Sequence, residues 1–432
     1  MNVKTFGPVD GRSLKQLERC MEAGDADYGV LCADHHPGYS QPIGGAVAYE
    51  GYVSPSGVGY DIGCGNKAVC TELTRQDLDA LGGVERLMRE ITQRISFGMG
   101  VPARERVGHP VLERIRTAQF EPQRKLAGLA ESQLGTVGSG NHYVNLMADE
   151  LGRVWVAVHF GSRGFGHKTA SGFLALAQGL PFDGHATEGE MDSPPVLLDL
   201  GTELGTAYIA AMQLAGEYAY AGRDVVVGKV LEILSAEAVH EVHNHHNFAW
   251  REEHLGRTYW VIRKGCTPAR PGQEGFVGGS MGDESVILEG VESVEAEQSL
   301  FSTVHGAGRI MSRTQAAGRV RRRKRWQCAD RDCERLFESP EGRCREHPDA
   351  RLLKVWVQEQ LKPGRVDWPA VQARLREQGI VLIGGGADEA PEVYKRLPDV
   401  LQAHAGSIRV KHTLRPLGVA MAGRDVQDPY KD

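Results

Sequence analysis

The chain has 432 residues, 41% of them hydrophobic and 25% charged, a composition that is typical of a globular protein with a substantial buried core. No apolar run approaches the roughly 18 residues of a membrane span, and the first residues lack the apolar segment of a secretory signal, so we expect a cytoplasmic protein without a membrane partner. The formal net charge of −6 at pH 7 argues against nucleic-acid binding by bulk charge, so any such binding needs a local basic surface.

The first stretch that points to chemistry is GVGYDIGCGNK, residues 57–67, in which Asp61 and Cys64 stand three apart among glycines. Glycine at this density provides no core side chains, so we expect the chain to bend tightly and to present a carboxylate and a thiol together. The eight cysteines of the chain are scattered rather than set at disulfide-framework spacings. This distribution indicates free thiols or metal ligands.

Helical and strand patterns alternate along the chain and predict a mixed α/β fold. Apolar residues at helical spacing predict a helix from Val84 to Ile95, and the segment 201–237, rich in Ala, Leu, Glu and Val, predicts further core-facing helix. Short β-branched runs predict strands at VWVAV (154–158), TYWVI (258–262), SVILEGV (285–291) and IVLIGGG (380–386).

Four histidines lie beside glycine, asparagine or a strand end, where polar side chains can project into a cleft. Any one of them alone is more often a hydrogen-bonded structural histidine. Together with the thiol and carboxylate of residues 57–67 they favour a metal site, because this borderline-soft set suits Zn, Mn, Fe or Co and the thiolate could bridge two ions. The set comprises Asp61, Cys64, His142, His159, His246 and His305.

The segment 319–352 departs from the rest of the chain in composition and is interpreted as an insert. A basic run, RVRRRKRW, precedes the pattern C-x4-C-x10-C-x2-H formed by Cys328, Cys333, Cys344 and His347. Four soft ligands at this spacing predict a structural zinc, and the alternative is a flexible basic loop with incidental cysteines. The basic run could contact RNA phosphates or be a solvated face.

Nine motifs in order carry a resemblance to a known family. The chain resembles the RtcB family of RNA-splicing ligases over residues 34–418, through DHHPGYSQPIGG, GVGYDIGCG, GTVGSGNHY, HFGSRGFGH, HHNFAW, RKGCTPA, GSMG, STVHGAGR and DEAPEVYK. One such motif would be weak, but nine in order are specific for the family. The resemblance implies one large domain over 1–432 with β-sheets around a metal-containing cleft, interrupted by the zinc-knuckle-like insert at 319–352.

The activity that the resemblance implies is a GTP-dependent ligase with two Mn²⁺ ions. It would join an RNA 3′-phosphate or 2′,3′-cyclic phosphate end to a 5′-hydroxyl end, in tRNA maturation or RNA repair, as a monomer or weak homo-oligomer with a possible archease-like activator. Cys64 would bridge the ions, with His159 and His246 at one and Asp61 and His142 at the other. His305 would take GMP from GTP, and Arg163 would face RNA or triphosphate. The remaining nucleotide-binding residues would be Asn141, Asn247, Ser280, Met281, Ser285, Ala307, Gly308 and Tyr394.

Two departures from the family pattern concern the guanine base. Asn145 stands where the family carries an acidic residue, and Met421 stands where it carries a lysine. We therefore expect relaxed or altered nucleotide choice, unless Asn145 still bonds guanine and a neighbour such as Lys411 replaces the lysine.

Two other functional classes stay open at this stage. One is a nucleotidyltransferase that caps or activates 3′-phosphate ends, on RNA or DNA, without efficient sealing. The other is a non-catalytic RNA- or ribosome-binding repair factor. Retention of both His305 and Cys64 favours catalysis.

Overall fold

The computed structural model describes residues 1–186, 191–330, 333 and 335–423. Its strands are β1 Asn2–Thr5, β2 Tyr28–His36, β3 Ile43–Tyr49, β4 Tyr52–Val53, β5 Gly65–Thr74, β6 Tyr143–Ala148, β7 Arg153–Phe160, β8 Leu198–Asp199, β9 Ala238–His245, β10 Asn247–His254, β11 Arg257–Lys264, β12 Cys266–Pro268, β13 Glu274–Val277, β14 Ser285–Gly290, β15 Ser302–Val304, β16 Gly318–Cys328, β17 Leu336–Phe337, β18 Leu352–Pro363, β19 Val381–Ile383 and β20 Ile408–Met421.

The helices complete a mixed α/β fold, as the sequence predicts. They are α1 Gly11–Ala23, α2 Pro55–Val58, α3 Arg75–Ala80, α4 Val84–Arg94, α5 Pro110–Arg116, α6 Glu121–Arg124, α7 Ala127–Gln133, α8 Arg163–Ala177, α9 Glu203–Leu234, α10 Val294–Gln298, α11 Arg313–Ala317, α12 Trp368–Glu377 and α13 Leu397–Gln402, with 3₁₀ turns at Ala387–Glu389 and Pro391–Val393.

A large, mostly antiparallel sheet carries several of the candidate site residues. Its strand order is β13-β14-β20-β6-β7-β5-β9, and β19 pairs with β20 in parallel. His159 on β7 lies opposite Tyr143 on β6 and opposite Asn66 on β5. Because directly opposed residues share one face of a sheet, these side chains form a row on the same side. A second sheet has the order β1-β2-β3-β11-β10, and Asn247 lies on its strand β10.

Helices α4 and α9 confirm the helical periodicity of the sequence. In α4 the buried residues Leu87, Met88 and Ile91 repeat at helical spacing and pack on the large sheet. Thr202 caps the start of helix α9, because its hydroxyl accepts a hydrogen bond of 3.1 Å from Gly205 N. Ser235 caps the end of the helix in a left-handed conformation. The long helix therefore spans the back of the sheet and buries an apolar face against β7.

The four predicted strands are all present. They correspond to β7, β11, β14 and β19. The first three lie within two residues of the predicted bounds, whereas β19 ends at Ile383, three residues before the predicted end at residue 386. Among the residues that the structure describes, none of the helices combines the length and apolar character that a membrane crossing requires.

The insert forms a three-stranded antiparallel ribbon. β16 pairs along its whole length with β18, from Gly318 opposite Pro363 to Cys328 opposite Leu352, and the short β17 pairs with the other edge of β16. The predicted bounds of 319–352 thus contain the first strand and stop where its partner begins. The basic run lies on β16, and its backbone pairing with β18 has one register shift, between Arg319 and Val320.

Candidate active site

The glycine-rich loop between α2 and β5 brings Asp61 and Cys64 together. Cys64 N donates a hydrogen bond of 3.0 Å to Asp61 O, which closes the turn. Gly63 has φ +69, and a Cβ there would lie 3.1 Å from Ala219 on α9. Gly161 leaves room for the carboxylate, because a Cβ at that position would lie 2.2 Å from Asp61 Oδ1. Local backbone geometry and close packing therefore fix both candidate ligands.

Three histidines from different elements meet at this loop. Cys64 Sγ lies 3.7 Å from His142 Nε2 and 3.7 Å from His159 Nε2. Asp61 Oδ2 lies 3.2 Å from His142 Nε2. His246, at the turn between β9 and β10, stacks on His159 with 5.1 Å between ring centroids and donates its backbone N–H to Cys64 O at 2.8 Å. The structure thus brings together all five residues predicted as metal ligands.

Hydrogen bonds at Nδ1 orient two of these imidazoles. His142 Nδ1 donates to Val137 O at 3.0 Å, and His159 Nδ1 donates to Asn66 Oδ1 at 2.7 Å. In a neutral His159 this tautomer leaves Nε2 as a lone-pair donor directed at Cys64, and His142 Nε2 lies within reach of both Cys64 and Asp61. Asn66 is itself fixed by a bond from Nδ2 to Phe276 O at 3.0 Å. Sequence analysis missed Asn66, which stands two residues after Cys64.

Burial sets the protonation of the cluster. It lowers the pKa of His159 and His246 well below the usual range, so both rings are neutral at pH 7. Burial and the Asp61 charge raise the pKa of the Cys64 thiol. Burial would also raise the pKa of Asp61, but the hydrogen bond and charge of His142 outweigh it and lower that pKa. A cation bound here would meet the neutral imidazoles of His159 and His246 and the Asp61 carboxylate, and would displace the thiol proton.

Arg223 of α9 supports the cluster from behind and was not recognised in the sequence. Its side chain is fully buried, and NH1 donates to Gly63 O at 2.9 Å and to Phe160 O at 2.7 Å. One guanidinium therefore ties the loop before Cys64 to the end of the strand that carries His159. The only signal in the sequence was a single arginine within an apolar stretch of a long helix.

His305 stands beside the cluster, directly after β15. Its ring centroid lies 4.8 Å from that of His246. Asp34 of β2 is fully buried, and its Oδ2 accepts hydrogen bonds from His305 Nδ1 at 2.7 Å and from His305 N at 3.0 Å. Burial would raise the pKa of Asp34, but the adjacent His305 lowers it below the usual value. Asp34 opens the first motif, DHHPGY, yet sequence reasoning gave it no role.

Three predicted phosphate-binding residues line the same cluster. Asn141 Nδ2 lies 3.5 Å from His159 Nε2. Asn247 Oδ1 accepts from Gly265 N at 2.7 Å, and its Nδ2 lies 3.5 Å from Asp61 O. Arg163 begins α8 with φ +53, and its NH1 lies 3.4 Å from His142 Nδ1. These contacts place two amides and a guanidinium around the candidate metal ligands.

The remaining predicted nucleotide residues gather around the His305 loop. Bridges from Gly278 to Gly306 and from Arg309 to Tyr394 join three chain segments. Ser285 Oγ accepts a hydrogen bond from Gly279 N at 3.0 Å, and Ser280 Oγ donates one to Asp283 Oδ2 at 2.5 Å. Tyr394 OH accepts a hydrogen bond from Arg309 NH1 at 3.1 Å. Ala307 and Met281 are buried. Gly308 has φ +78, and a Cβ there would lie 2.0 Å from Asp34 O, so only glycine fits.

The two residues that depart from the family pattern lie on neighbouring strands. Asn145 on β6 pairs with Val419 on β20, and its Oδ1 is buried without a hydrogen-bond partner. Met421 is buried in an apolar cluster with Met281 and Trp368.

The position of Lys411 does not support the alternative in which it replaces the family lysine. Lys411 Nζ pairs with Glu274 and lies 3.3 Å from Glu289. It stands ten residues before Met421 on β20, which corresponds to about 30 Å along an extended strand.

The cysteines and histidine of the insert converge at the end of the ribbon. The candidate ligand atoms of Cys328, Cys333, Cys344 and His347 all lie within 4.8 Å of one another. Cys344 Sγ lies 3.7 Å from Cys333 Sγ and 3.7 Å from His347 Nδ1. Backbone hydrogen bonds from His347 and Glu346, working against burial, lower the pKa of the Cys344 thiol to about 7. The four donors match the number and type that structural zinc requires.

Comparison with known proteins gives consistent matches. A family model described as tRNA-splicing ligase RtcB matches residues 24–123 and 112–351. The RNA-splicing ligase RtcB of Escherichia coli is 32% identical over 312 residues, which cover 66% of this chain and 75% of the relative. The tRNA-splicing ligase RtcB of Thermococcus kodakarensis is 28% identical over an alignment of 492 positions, which covers 95% of this chain and 91% of the relative. The tRNA-splicing ligase RtcB of Archaeoglobus fulgidus is 29% identical over an alignment of 473 positions, which covers 90% of this chain and 87% of the relative.

Proposed function

The chain belongs to the RtcB family and is an RNA ligase, and on that premise we propose that it joins an RNA 3′-phosphate or 2′,3′-cyclic phosphate end to a 5′-hydroxyl end. The observation that carries this proposal is the position of His305, held by Asp34, next to the half-buried Asp61 and the buried Cys64, His142, His159 and His246. A nucleophilic imidazole beside a cluster of metal-ligating groups is suited to nucleotidyl transfer.

The donor set fits two divalent ions, for which we propose Mn²⁺. Cys64 Sγ lies 3.7 Å from His142 Nε2 and 3.7 Å from His159 Nε2, so the thiolate is within reach of ligands from both proposed ion sites. Cys64 would be shared, with His159 and His246 holding one ion and Asp61 and His142 the other. When bound, the ions would supply the positive charge that phosphoryl oxygens and a pyrophosphate leaving group require.

His305 acts as the nucleophile in the proposed first step. Its Nε2 forms a bond to the α-phosphorus of GTP while the bond to pyrophosphate breaks, which leaves GMP on the ring as a phosphoramidate. Asp34 accepts the Nδ1 proton in a hydrogen bond, so the Nε2 lone pair is kept free and the positive charge that develops on the ring is stabilised.

Two further transfers complete the proposed reaction. An oxygen of the RNA 3′-phosphate attacks the phosphorus of the phosphoramidate and releases His305. The 5′-hydroxyl oxygen of the second RNA then attacks the 3′-phosphate phosphorus and loses its proton to solvent, and GMP leaves with the bonding electron pair. A 2′,3′-cyclic phosphate end would enter this sequence after water adds to its phosphorus and the bond to O2′ breaks, which gives a 3′-phosphate. Asn141 and Asn247 are suited to hold the nucleotide phosphate, Arg163 to contact RNA or triphosphate, and the loops that contain Ser280, Ser285, Ala307, Gly308 and Tyr394 to surround the guanylate.

We also propose that the insert binds one structural Zn²⁺ through Cys328, Cys333, Cys344 and His347. The convergence of the four donors supports this assignment. A short ribbon buries little apolar surface, so a metal would contribute directly to its folding. A need for an archease-like activator and the oligomeric state stay predictions.

An end-joining assay tests the proposed ligation. A labelled RNA with a 3′-phosphate, an RNA with a 5′-hydroxyl, GTP and Mn²⁺ are incubated with the protein and resolved on a denaturing gel. We expect a product of the combined length with the wild-type chain and none with His305→Ala. Accumulation of a strand longer by a single nucleotide, without joined product, would instead assign the chain to the capping class.

A further inference from the structure

One face of the insert ribbon carries two tryptophans and two lysines in alternation. Lys324 on β16 lies opposite Trp356 on β18, and two residues further Trp326 lies opposite Lys354. Residues two apart on a strand, and residues directly opposed across strands, share one face. These four residues are called the Trp–Lys face. On the other side of β18, Leu353 and Val355 alternate with them.

The side chains of this face pair cation with ring. Lys324 Nζ lies 4.8 Å from the centroid of the Trp326 ring, and Lys354 Nζ lies 5.8 Å from that of Trp356. Trp356 keeps 59% of its surface in contact with solvent. Large aromatic side chains are usually mostly buried, so an exposed indole held beside ammonium groups indicates a surface for a ligand.

At one end, the Trp–Lys face adjoins β17 and the cysteine cluster of the ribbon. Phe337 of β17 lies opposite Trp326 and packs against the cysteine cluster together with Leu352. The aromatic surface is therefore continuous with the Cys₃His cluster. The charge of the ribbon also differs from that of the chain. Residues 318–363 contain 13 Lys and Arg against 8 Asp and Glu, whereas the whole chain contains 50 against 56.

We propose that the Trp–Lys face binds a single-stranded segment of RNA, with bases stacked on Trp326 and Trp356 and phosphates paired with Lys324 and Lys354. Exposed aromatic rings bind unpaired bases without much regard to sequence, and interleaved cations neutralise the backbone. In a duplex the bases are already stacked on each other, so their faces are closed to the indoles. The choice of RNA rests on the proposed ligase function, whereas preference for a single strand follows from the ribbon itself.

The position of the ribbon relates this face to the candidate active site. β16 follows α11 directly, and the Arg313 guanidinium on α11 would lie 3.3 Å from a Cβ at Gly140, next to Asn141. Trp326 stands eight residues into β16, about 26 Å along the strand from Gly318. The face would therefore bind RNA several nucleotides away from the end that reacts.

A binding measurement on the full chain tests this inference. The probe is a fluorescent single-stranded RNA of about 12 nucleotides with hydroxyl groups at both ends, so that no ligatable phosphate is present. Fluorescence anisotropy is compared for the wild type, Trp356→Ala and Leu353→Ala, a matched control because Leu353 is 54% exposed on the opposite face of the same strand. We expect Trp356→Ala to weaken binding by about 5- to 100-fold and Leu353→Ala to bind like the wild type.

A second variant tests the role of the lysines. Lys354→Gln should lower the slope of log affinity against log salt by about 0.7, the value expected for one lost contact to a single-stranded phosphate backbone. Wild-type affinity for the single strand in Trp356→Ala, no binding by the wild type, or equal competition by duplex RNA would each overturn the inference. Because the probe has no 3′-phosphate, a chain that binds it but fails to join ends would refute the proposed reaction and leave the binding face intact.

Discussion

Asp34 and His305 are 271 positions apart in the chain, and one carboxylate oxygen of the aspartate accepts both the backbone N–H and the ring Nδ1–H of the histidine. The arrangement fixes the ring and its tautomer at the same time. It is the orientation that a nucleophilic histidine requires, since Nε2 must face the reacting phosphorus without a proton.

Replacement of this carboxylate should slow the first step. Asp34→Asn keeps the shape of the side chain but removes the charge that stabilises a positive imidazole ring. We expect self-labelling with radioactive GTP to slow by roughly 100-fold. The rate of label incorporation in single-turnover conditions measures the effect, and an unchanged rate would show that Asp34 does not act through His305.

The proposed bridging role of Cys64 predicts that both proposed metal sites fail together. Cys64→Ala should lose both Mn²⁺ ions and abolish self-labelling, because the thiolate is shared. Titration calorimetry with Mn²⁺ gives the number of ions bound. Cys70→Ala is the matched control, since Cys70 is a buried cysteine of the same strand region that faces an apolar cluster instead. Two ions bound to Cys64→Ala would contradict the assignment.

The covalent intermediate should be carried by His305. Protein mixed with Mn²⁺ and α-labelled GTP should form an adduct that is labile to acid and stable to base, as phosphoramidates are. His305→Ala should remain unlabelled. His412→Ala should label normally, because His412 lies on β20 and its side chain is hydrogen-bonded to Glu150. Label that persists in His305→Ala would place the nucleophile elsewhere.

Loss of the insert metal should leave the chemistry intact. Cys333→Ala or Cys344→Ala should release one zinc, because each removes one of four ligands, while self-labelling persists since its ligands lie in other segments. Metal analysis of protein purified without chelator measures the zinc content, with Cys70→Ala again as control. Wild-type protein that contains no zinc would count against the site.

The preference for GTP over other nucleotides should be weaker than in relatives that keep the acidic and basic pair. Each charge-assisted bond to guanine contributes about 1.5 to 3 kcal/mol, and neither Asn145 nor Met421 can supply one. We expect rates of self-labelling with GTP and ATP to differ by less than about 100-fold, equivalent to about 2.7 kcal/mol. Self-labelling rates measured in parallel with GTP, ATP, CTP and UTP test this prediction. A larger preference for GTP would disprove this interpretation of Asn145 and Met421.

Local patterns predicted much of the fold. The spacing of Leu87, Met88 and Ile91 predicted α4, and the run VWVAV predicted β7, since each side chain is buried by the periodicity of its own element. The motifs also identified the residues that gather at the candidate site. Which of them make contact depends on strand register, and His159 lies opposite Tyr143 and Asn66 only because β7 pairs with both β6 and β5.

Long-range relationships were out of reach of such patterns. The partnership of Asp34 with His305 depends on how β2 and β15 meet, and nothing near either residue indicates it. Lys411 was named as one possible substitute for the family lysine, but an extended strand separates it from Met421. The second strand of the ribbon was missed because LLKVWVQEQLKP does not differ in composition from ordinary strands of the domain.

The ribbon leaves and rejoins the rest of the chain at adjacent points. Gly318 pairs with Pro363, and just before and after them Arg365 N donates to Gln315 O at 3.0 Å and Val366 N donates to Ala316 O at 3.2 Å. A segment whose two ends already touch can be gained or lost during evolution without moving its surroundings. The ligase domain and the insert ribbon can therefore diverge as separate modules. The RNA preference of the ribbon can change while the chemistry of the ligase domain is conserved.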